Sequence, residues 1–314
     1  MLQLISGRFI QLATLLLTLS LTNCKKADTS DTVKTTTVYR FDGEMNVDGR
    51  TRSYLLNLPP HYNDSLTLSL VIVLHGFGGS ASQAENDYQV TDKANAEEFI
   101  VVYPEGIESN GPAHLRSWNA GNCCPVATTN NVDDVHFISI LIDTMVANYK
   151  VNPKKVYVAG ISNGAMMAYT LACDLSNKIA AITSVSGTLM KSSPCRPARA
   201  VPILHMHSAV DSIVPYNGGI GMGGFYFTPV DSTMAVWTAL NSCVTPPGVT
   251  NYAGYTFTEW KDQTGRPAID LYLTQDGGHS WPGGLKPRPQ ADPPSTVINA
   301  NDLLWNFFQR YTLP

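Results

Sequence analysis

Ser69-Leu-Val-Ile-Val-Leu74 is a continuous apolar run, with no polar residue after Ser69 to turn toward water. A strand without alternation must be covered on both faces. Phe99–Tyr103, Lys155–Ala159, Ala180–Val185 and Val201–Met206 repeat the pattern. Helix-like stretches lie between them. The clearest puts Val135, Ile138, Leu141, Ile142, Met145 and Tyr149 on one face, with Asp133 and Asp134 at its start, where carboxylates suit the helix dipole. Apolar strands separated by helices predict an α/β fold, a mostly parallel central sheet with helices on both faces. Val38–Phe41 and Ser53–Leu58 read as an opening pair of strands turned by Asp48-Gly49. Pro and Gly concentrate in residues 186–230 and 282–295, which suit loops over one edge of the sheet. There is no internal repeat, and residues 38–314 read as one domain.

The first 23 residues read as an address rather than part of that fold. A weakly basic start with Arg8 precedes an apolar run from Phe9 to Leu21, short for a bilayer span but suited to a secretion signal. The run ends in Leu21-Thr22-Asn23-Cys24, which resembles a bacterial lipobox, with Asn23 where a smaller residue is usual. The resemblance implies a lipid on Cys24 and attachment to the cell envelope; ordinary signal cleavage is the alternative. Residues 24–37 are polar and read as a flexible tether.

Export puts the remaining cysteines, Cys123, Cys124, Cys173, Cys195 and Cys243, where disulfides persist. The adjacent pair cannot easily chelate one tetrahedral ion, so bridges are expected rather than a zinc site. The expected pairs are Cys173 with Cys195, and one of Cys123 or Cys124 with Cys243. The odd count leaves one thiol over. Charged residues are 15% of the chain and the net charge is −4. Such a surface offers no basic footprint for a phosphate backbone, and nucleic acid is not an expected partner.

Gly160-Ile161-Ser162-Asn163-Gly164 fits G-x-S-x-G, follows the strand ending at Ala159 and precedes the helical Ala165–Ala172. That context predicts a nucleophile elbow, a sharp turn that lifts the serine hydroxyl clear of the sheet. A serine needs a base and an orienting acid, and in such folds the acid comes next along the chain and the histidine last. Asp211 lies just beyond the strand Val201–Met206. His279 lies in Gly277-Gly278-His279-Ser280-Trp281-Pro282, after the strand-like Ile269–Leu273. His205 and His207 precede the acid and read as structural. Asp231 reads as a helix N-cap, and Asp276 is too near His279 to be preferred. Two backbone N–H groups are expected to receive the developing oxyanion, from Asn163 and from Phe77 in His75-Gly76-Phe77-Gly78-Gly79-Ser80. That glycine loop lacks the Lys-Ser/Thr of a phosphate-binding loop.

The stretches LHGFGGS, VVYPEGI, SWNAGNCC, NVDDVHFI, VYVAGISNGAMMAYTLAC, VPILHMHSAVDSIVPYNGG and GGHSWPGG, in that order, resemble the polyhydroxybutyrate depolymerase-like esterases, with their feruloyl and acetyl xylan esterases. The resemblance runs from about residue 50 to the C-terminus. It implies an α/β-hydrolase fold, a triad on Ser162, His279 and Asp211, and no requirement for a metal or organic cofactor. Ser208 and Ala165 stand where glycine is common in the family, and neither change removes a catalytic group.

Trp118, Trp281 and Tyr216 are candidates for the pocket wall, since aromatic faces suit a sugar, a cinnamoyl ring or a polyester. Trp237, Trp260 and Trp305 read as core. The expected function is a secreted serine esterase removing feruloyl or acetyl groups from plant polysaccharide. The alternatives are a polyester depolymerase and, in another class, a non-catalytic glycan-binding lipoprotein.

Overall fold

Alternate residues of the run Ser69–Leu74 enter two different cores. Leu70, Ile72 and Leu74 join one buried cluster, Val71 and Val73 the other, and all five are fully buried. The computed structural model describes residues 39–63 and 65–314. The segments read as signal and tether, with Cys24, lie outside the described residues, as does Val38.

Ten strands form one sheet. They are β1 (Arg40–Val47), β2 (Arg50–Asn57), β3 (Leu68–Leu74), β4 (Ile100–Pro104), β5 (Val151–Ile161), β6 (Ala181–Val185), β7 (Ile203–Ser208), β8 (Gly248–Tyr252), β9 (Tyr255–Lys261) and β10 (Pro267–Thr274). Their spatial order is β1-β2-β4-β3-β5-β6-β7-β10-β9-β8. The strands from β4 to β10 in that order run parallel. Antiparallel pairs flank them at both ends. The sheet is therefore mostly parallel where it is deepest, as the unbroken apolar runs require.

Helices α1 (Ala81–Tyr88), α2 (Val90–Glu97), α3 (Asp134–Asn148), α4 (Asn163–Asp174), α5 (Val230–Leu240) and α6 (Ala300–Phe308) cover the two faces. Phe137, Leu141, Met166 and Leu171, from α3 and α4, pack with Ile72 on one side. Ala84, Leu304 and Phe308, from α1 and α6, pack with Val73 on the other. The carboxylate of Asp133 accepts from the His136 N–H at 2.8 Å and caps α3. Cutting one such core leucine or isoleucine back to alanine costs about 2–5 kcal/mol.

Two expectations need correction here. Asp231 is not the cap of α5, which starts at Val230 behind Pro229; it sits in the first turn and accepts a hydrogen bond from the Tyr216 hydroxyl at 3.0 Å. Cys173 does bridge Cys195, but Cys123 bridges its neighbour Cys124 and the Cys243 thiol is free. Cys243 lies past the end of α5, bridged through its backbone to Asp262, whereas Cys123 and Cys124 are buried beside Asn163.

Candidate active site

β5 ends at Ile161, α4 starts at Asn163, and Ser162 between them has φ +57° and ψ −124°. A non-glycine residue in that region stores about 1–3 kcal/mol of strain, held by its surroundings. Two glycines make the turn possible. A Cβ on Gly160 would fall 2.5 Å from the Gly164 carbonyl oxygen, and one on Gly164 would fall 2.4 Å from that of Leu74. Strand, turn and helix therefore touch backbone to backbone. The Ser162 N–H donates to the Val185 carbonyl at 2.9 Å, tying the turn to β6, and its hydroxyl does not cap α4.

A cavity of about 290 Å³ opens over this turn, lined by Ser162, Phe77, His279, Trp281, Ile213 and Met222 among others. His279 Nδ1 donates to Asp211 Oδ2 at 2.8 Å. The other oxygen, Oδ1, accepts from the Ile213 and Val214 N–H groups, each at 2.9 Å. Burial pushes the Asp211 carboxyl up, but the His279 hydrogen bond and charge, with His207 and the Val214 N–H, outweigh it and hold the group below the usual carboxylate range. Asp211 is thus an ionised acceptor against one face of His279, and the ring's Nε2 is left for the serine side.

The loop after β3 also lines the cavity, through Gly76, Phe77, Gly78 and Gly79. His75 is fully buried, and burial lowers its imidazole to about 4, so the ring is neutral. Its Nε2 accepts from the Gly106 N–H at 2.9 Å, so Nδ1 carries the proton and donates to the Gly76 carbonyl at 2.7 Å. The Gly79 N–H donates to the same carbonyl at 3.0 Å. In a trans peptide the N–H points opposite its carbonyl, so these donors fix the direction of the Phe77 N–H. In the sequence His75 carries no signal of this role beyond its place at the end of a strand, before glycine.

The residues proposed for the pocket wall separate. Trp281 lines the cavity, only 2% exposed, stacked on Tyr88 at 4.8 Å, with Nε1 donating to Asn301 Oδ1 at 2.9 Å. Trp118 is not on the wall. It is fully buried, its indole donates to the His75 carbonyl, and its backbone N–H donates to Asn163 Oδ1 at 2.7 Å. Tyr216 is also off the wall, edge-on to His207 with its hydroxyl on Asp231. In their place the loop after His279 contributes Leu285, Pro287, Arg288 and Asp292. Asp292 accepts from the His279 N–H at 2.7 Å, and the Gly283 N–H donates to the Ser295 carbonyl at 3.0 Å, closing the base of that loop. Ser208, standing where glycine is common, donates to the Asp276 carbonyl at 2.8 Å and so links the acid and histidine loops. Asp276 itself accepts from Ser295 and Thr296, a structural use.

A mostly parallel sheet with a serine on a strained strand-to-helix turn, and in the same cavity a histidine backed by a carboxylate, is the architecture of an α/β-hydrolase. The profile of the phospholipase/carboxylesterase family matches residues 64–230, and the chain belongs to that family. It is 27% identical over 271 residues to feruloyl esterase B of Piromyces equi, covering 84% of this chain and 46% of that protein. The chain thus spans about half the length of that relative. It is 23% identical over 235 residues to poly(3-hydroxyalkanoate) depolymerase C of Paucimonas lemoignei, covering 68% of this chain and 55% of that one. Among solved structures, the acetyl xylan esterase from Aspergillus awamori superposes with a TM-score of 0.58 at 17% identity, over 82% of this chain and 94% of that one. A ferulic acid esterase from Anaeromyces mucronatus, solved with ferulic acid, gives 0.53 at 14% identity, over 87% and 91%. Those two similarities speak to the fold.

Proposed function

We propose that the protein is an exported serine esterase that removes feruloyl or acetyl groups from plant polysaccharide through an acyl-enzyme. The observation that carries this reading is one cavity holding Ser162 and His279, with Asp211 2.8 Å behind the imidazole. In this scheme Ser162 Oγ attacks the ester carbonyl while His279 Nε2 takes its proton. His279 then protonates the leaving alcohol, and water hydrolyses the acyl-enzyme by the reverse assignment. Asp211 holds the ring in the tautomer with Nδ1 protonated. The Asn163 and Phe77 N–H groups receive the oxyanion, each worth about 10²- to 10³-fold in rate. Trp281 forms part of the wall against which an acyl group or sugar rests.

The names of the relatives and the family support an ester substrate. Export and a lipid on Cys24 rest on the N-terminal sequence, with two disulfides among the described residues in keeping with an oxidising compartment. A polyester is the second reading, favoured by the depolymerase relative and by the apolar side chains of Phe77, Ile213, Met222 and Leu285 on the cavity wall. The test is a hydrolysis panel of methyl ferulate, acetylated xylan, hydroxybutyrate polymer and a short aryl ester. Ser162→Ala should lower turnover of the aryl ester by roughly 10⁴-fold or more with the fold intact. A variant that kept the wild-type rate would refute the assignment, and clearing of the polymer without release of ferulate or acetate would favour the second reading.

A further inference from the structure

Behind Asp211, four buried groups form a hydrogen-bonded chain that the scheme above does not use. The Tyr169 hydroxyl lies 2.7 Å from His205 Nδ1, His205 Nε2 lies 3.1 Å from His207 Nδ1, and His207 Nε2 lies 2.8 Å from the Val214 carbonyl. His205 and His207 are two apart on β7 and so share a face of the strand. Their rings stack with centroids 5.3 Å apart. Tyr169, His205 and His207 are all buried.

A backbone carbonyl can only accept, so the Val214 end sets every proton in the chain. His207 carries hydrogen on Nε2 and accepts at Nδ1. His205 Nε2–H is that donor, and its Nδ1 accepts the Tyr169 O–H. Burial keeps both rings neutral, His205 well below its ordinary range and His207 below it despite the nearby Asp211 charge. The groups facing His207 are His205 on its own strand, Asp211 and Val214 on the turn, the edge of Tyr216, and His279 from the loop after β10.

The chain ends on the turn that bears the acid. Val214 receives His207 on its carbonyl and gives its own N–H to Asp211 Oδ1 at 2.9 Å. His207 Nε2 also stands 3.5 Å from Asp211 Oδ2, the oxygen that meets His279. A charged His207 would compete with His279 for that oxygen. Tyr169, at the other end, belongs to α4, the helix that begins directly after Ser162. We propose that His207 is a positioning residue for Asp211. It anchors the Asp211–Val214 turn through the Val214 carbonyl, and Tyr169 and His205 lock it in the neutral, Nε2-protonated form. The helix behind the nucleophile and the turn behind the acid are thereby joined without passing through the substrate cavity. The proposal rests on the triad reading above.

The test compares His207→Gln, His207→Asn and His207→Leu in the full chain, with kcat on an aryl ester expressed per serine labelled by a fluorophosphonate. Glutamine places an amide N–H near the Nε2 position, asparagine reaches only toward Nδ1, and leucine offers neither. In the Leu and Asn variants kcat per labelled serine should fall about 10²-fold with KM within about twofold, the size expected when a catalytic group is misplaced by an ångström. The Gln variant should return to within about tenfold of wild type. The acidic limb of the kcat/KM profile should move to lower pH in the Leu and Asn variants, because a displaced carboxylate stabilises the His279 imidazolium less. A loss of folded protein lowers the number of labelled serines and leaves the rate per serine readable. Equal rates per labelled serine in all the proteins, with the limb unmoved, would overturn the proposal. Asp211→Asn turning over at the wild-type rate would instead overturn the triad reading beneath it.

Discussion

The turn at Ser162 and the turn at Asp211, which the proposed scheme uses as nucleophile and acid, solve the same problem, holding one side chain in place, by opposite physical means. Ser162 is held by exclusion: Gly160 and Gly164 leave no room for a Cβ, so strand, turn and helix touch backbone to backbone. Asp211 is held by donation, with two N–H groups on one oxygen and His279 on the other. Contact of the first kind needs only small residues at fixed spacing, here two glycines four positions apart, pressed against the neighbouring strand at Leu74. Contact of the second kind draws on residues from several strands and loops. The first is therefore rigid but intolerant of added volume, and the second is adjustable but sensitive to the loss of any proton donor or acceptor.

Removing the charge on the acid side should give the larger effect on rate. Asp211→Asn keeps the shape but can present an N–H to His279, favouring the wrong tautomer, and kcat should fall by about 10⁴-fold with little change in melting temperature. On the nucleophile side, Gly164→Ala should show the reverse emphasis. A methyl 2.4 Å from the Leu74 carbonyl oxygen forces strand and helix apart, costing about 3 kcal/mol or more of stability in a denaturant titration. A Gly164→Ala variant of wild-type stability would show that the turn is not held by exclusion.

Acid should act on the donor-held parts. His75 is lowered from 6.5 to about 4 in the folded chain. The unfolded chain therefore binds the extra proton first, between those two values. The contribution of a neutral His75 is present above pH 6.5 and is lost as pH falls toward 4, by roughly 3 kcal/mol. His205, His207 and Asp211, all lowered, act in the same direction. Burial raises the carboxyls of Asp134 and Asp270, which act in the opposite direction. Comparing unfolding free energies of the wild type and His75→Gln at pH 7 and pH 4.5 isolates the histidine, and parallel losses in both proteins would contradict the assignment. The smallest effect is expected at Ser208→Gly, which removes the hydroxyl that donates to the Asp276 carbonyl and accepts from the Val210 N–H, and should cost about 1–2 kcal/mol, read as a small drop in melting temperature.

The same division decides what could be read from sequence. The parallel strands and the elbow were legible because their causes are local: an apolar run with no alternation, and two glycines at fixed spacing between strand and helix. Strand ends were less so; β5 starts at Val151, four residues before the apolar run begins, and β7 runs on to Ser208. The antiparallel flank of β8 and β9 is not legible in the sequence, since β8 is an edge exposed along its length and β9 is only half-buried, so neither carries an unbroken apolar run. Trp118 was assigned to the wrong side because an indole signals burial or a pocket alike, and only the His75 carbonyl, 43 positions away, settles which. The pairing of Cys123 with Cys124 is not legible from spacing, because adjacency does not tell a bridge between neighbours from one to a distant cysteine. The role of His207 had one legible trace, two histidines on one face of a strand, but its partner Tyr169 lies on another element.

The base of the loop after His279 closes on itself, Gly283 to Ser295, while Leu285, Pro287, Arg288 and Asp292 face the cavity. Asp292 alone of these reaches back to His279. The loop is pinned at its start, where Gly284 leaves no room for a Cβ beside the Asp87 carbonyl and the Leu285 N–H donates to that same oxygen. Side chains between those pins and Asp292 can therefore reshape the cavity without moving the elbow or the turn at Asp211, and Asp292 marks the seam at which a change would reach His279.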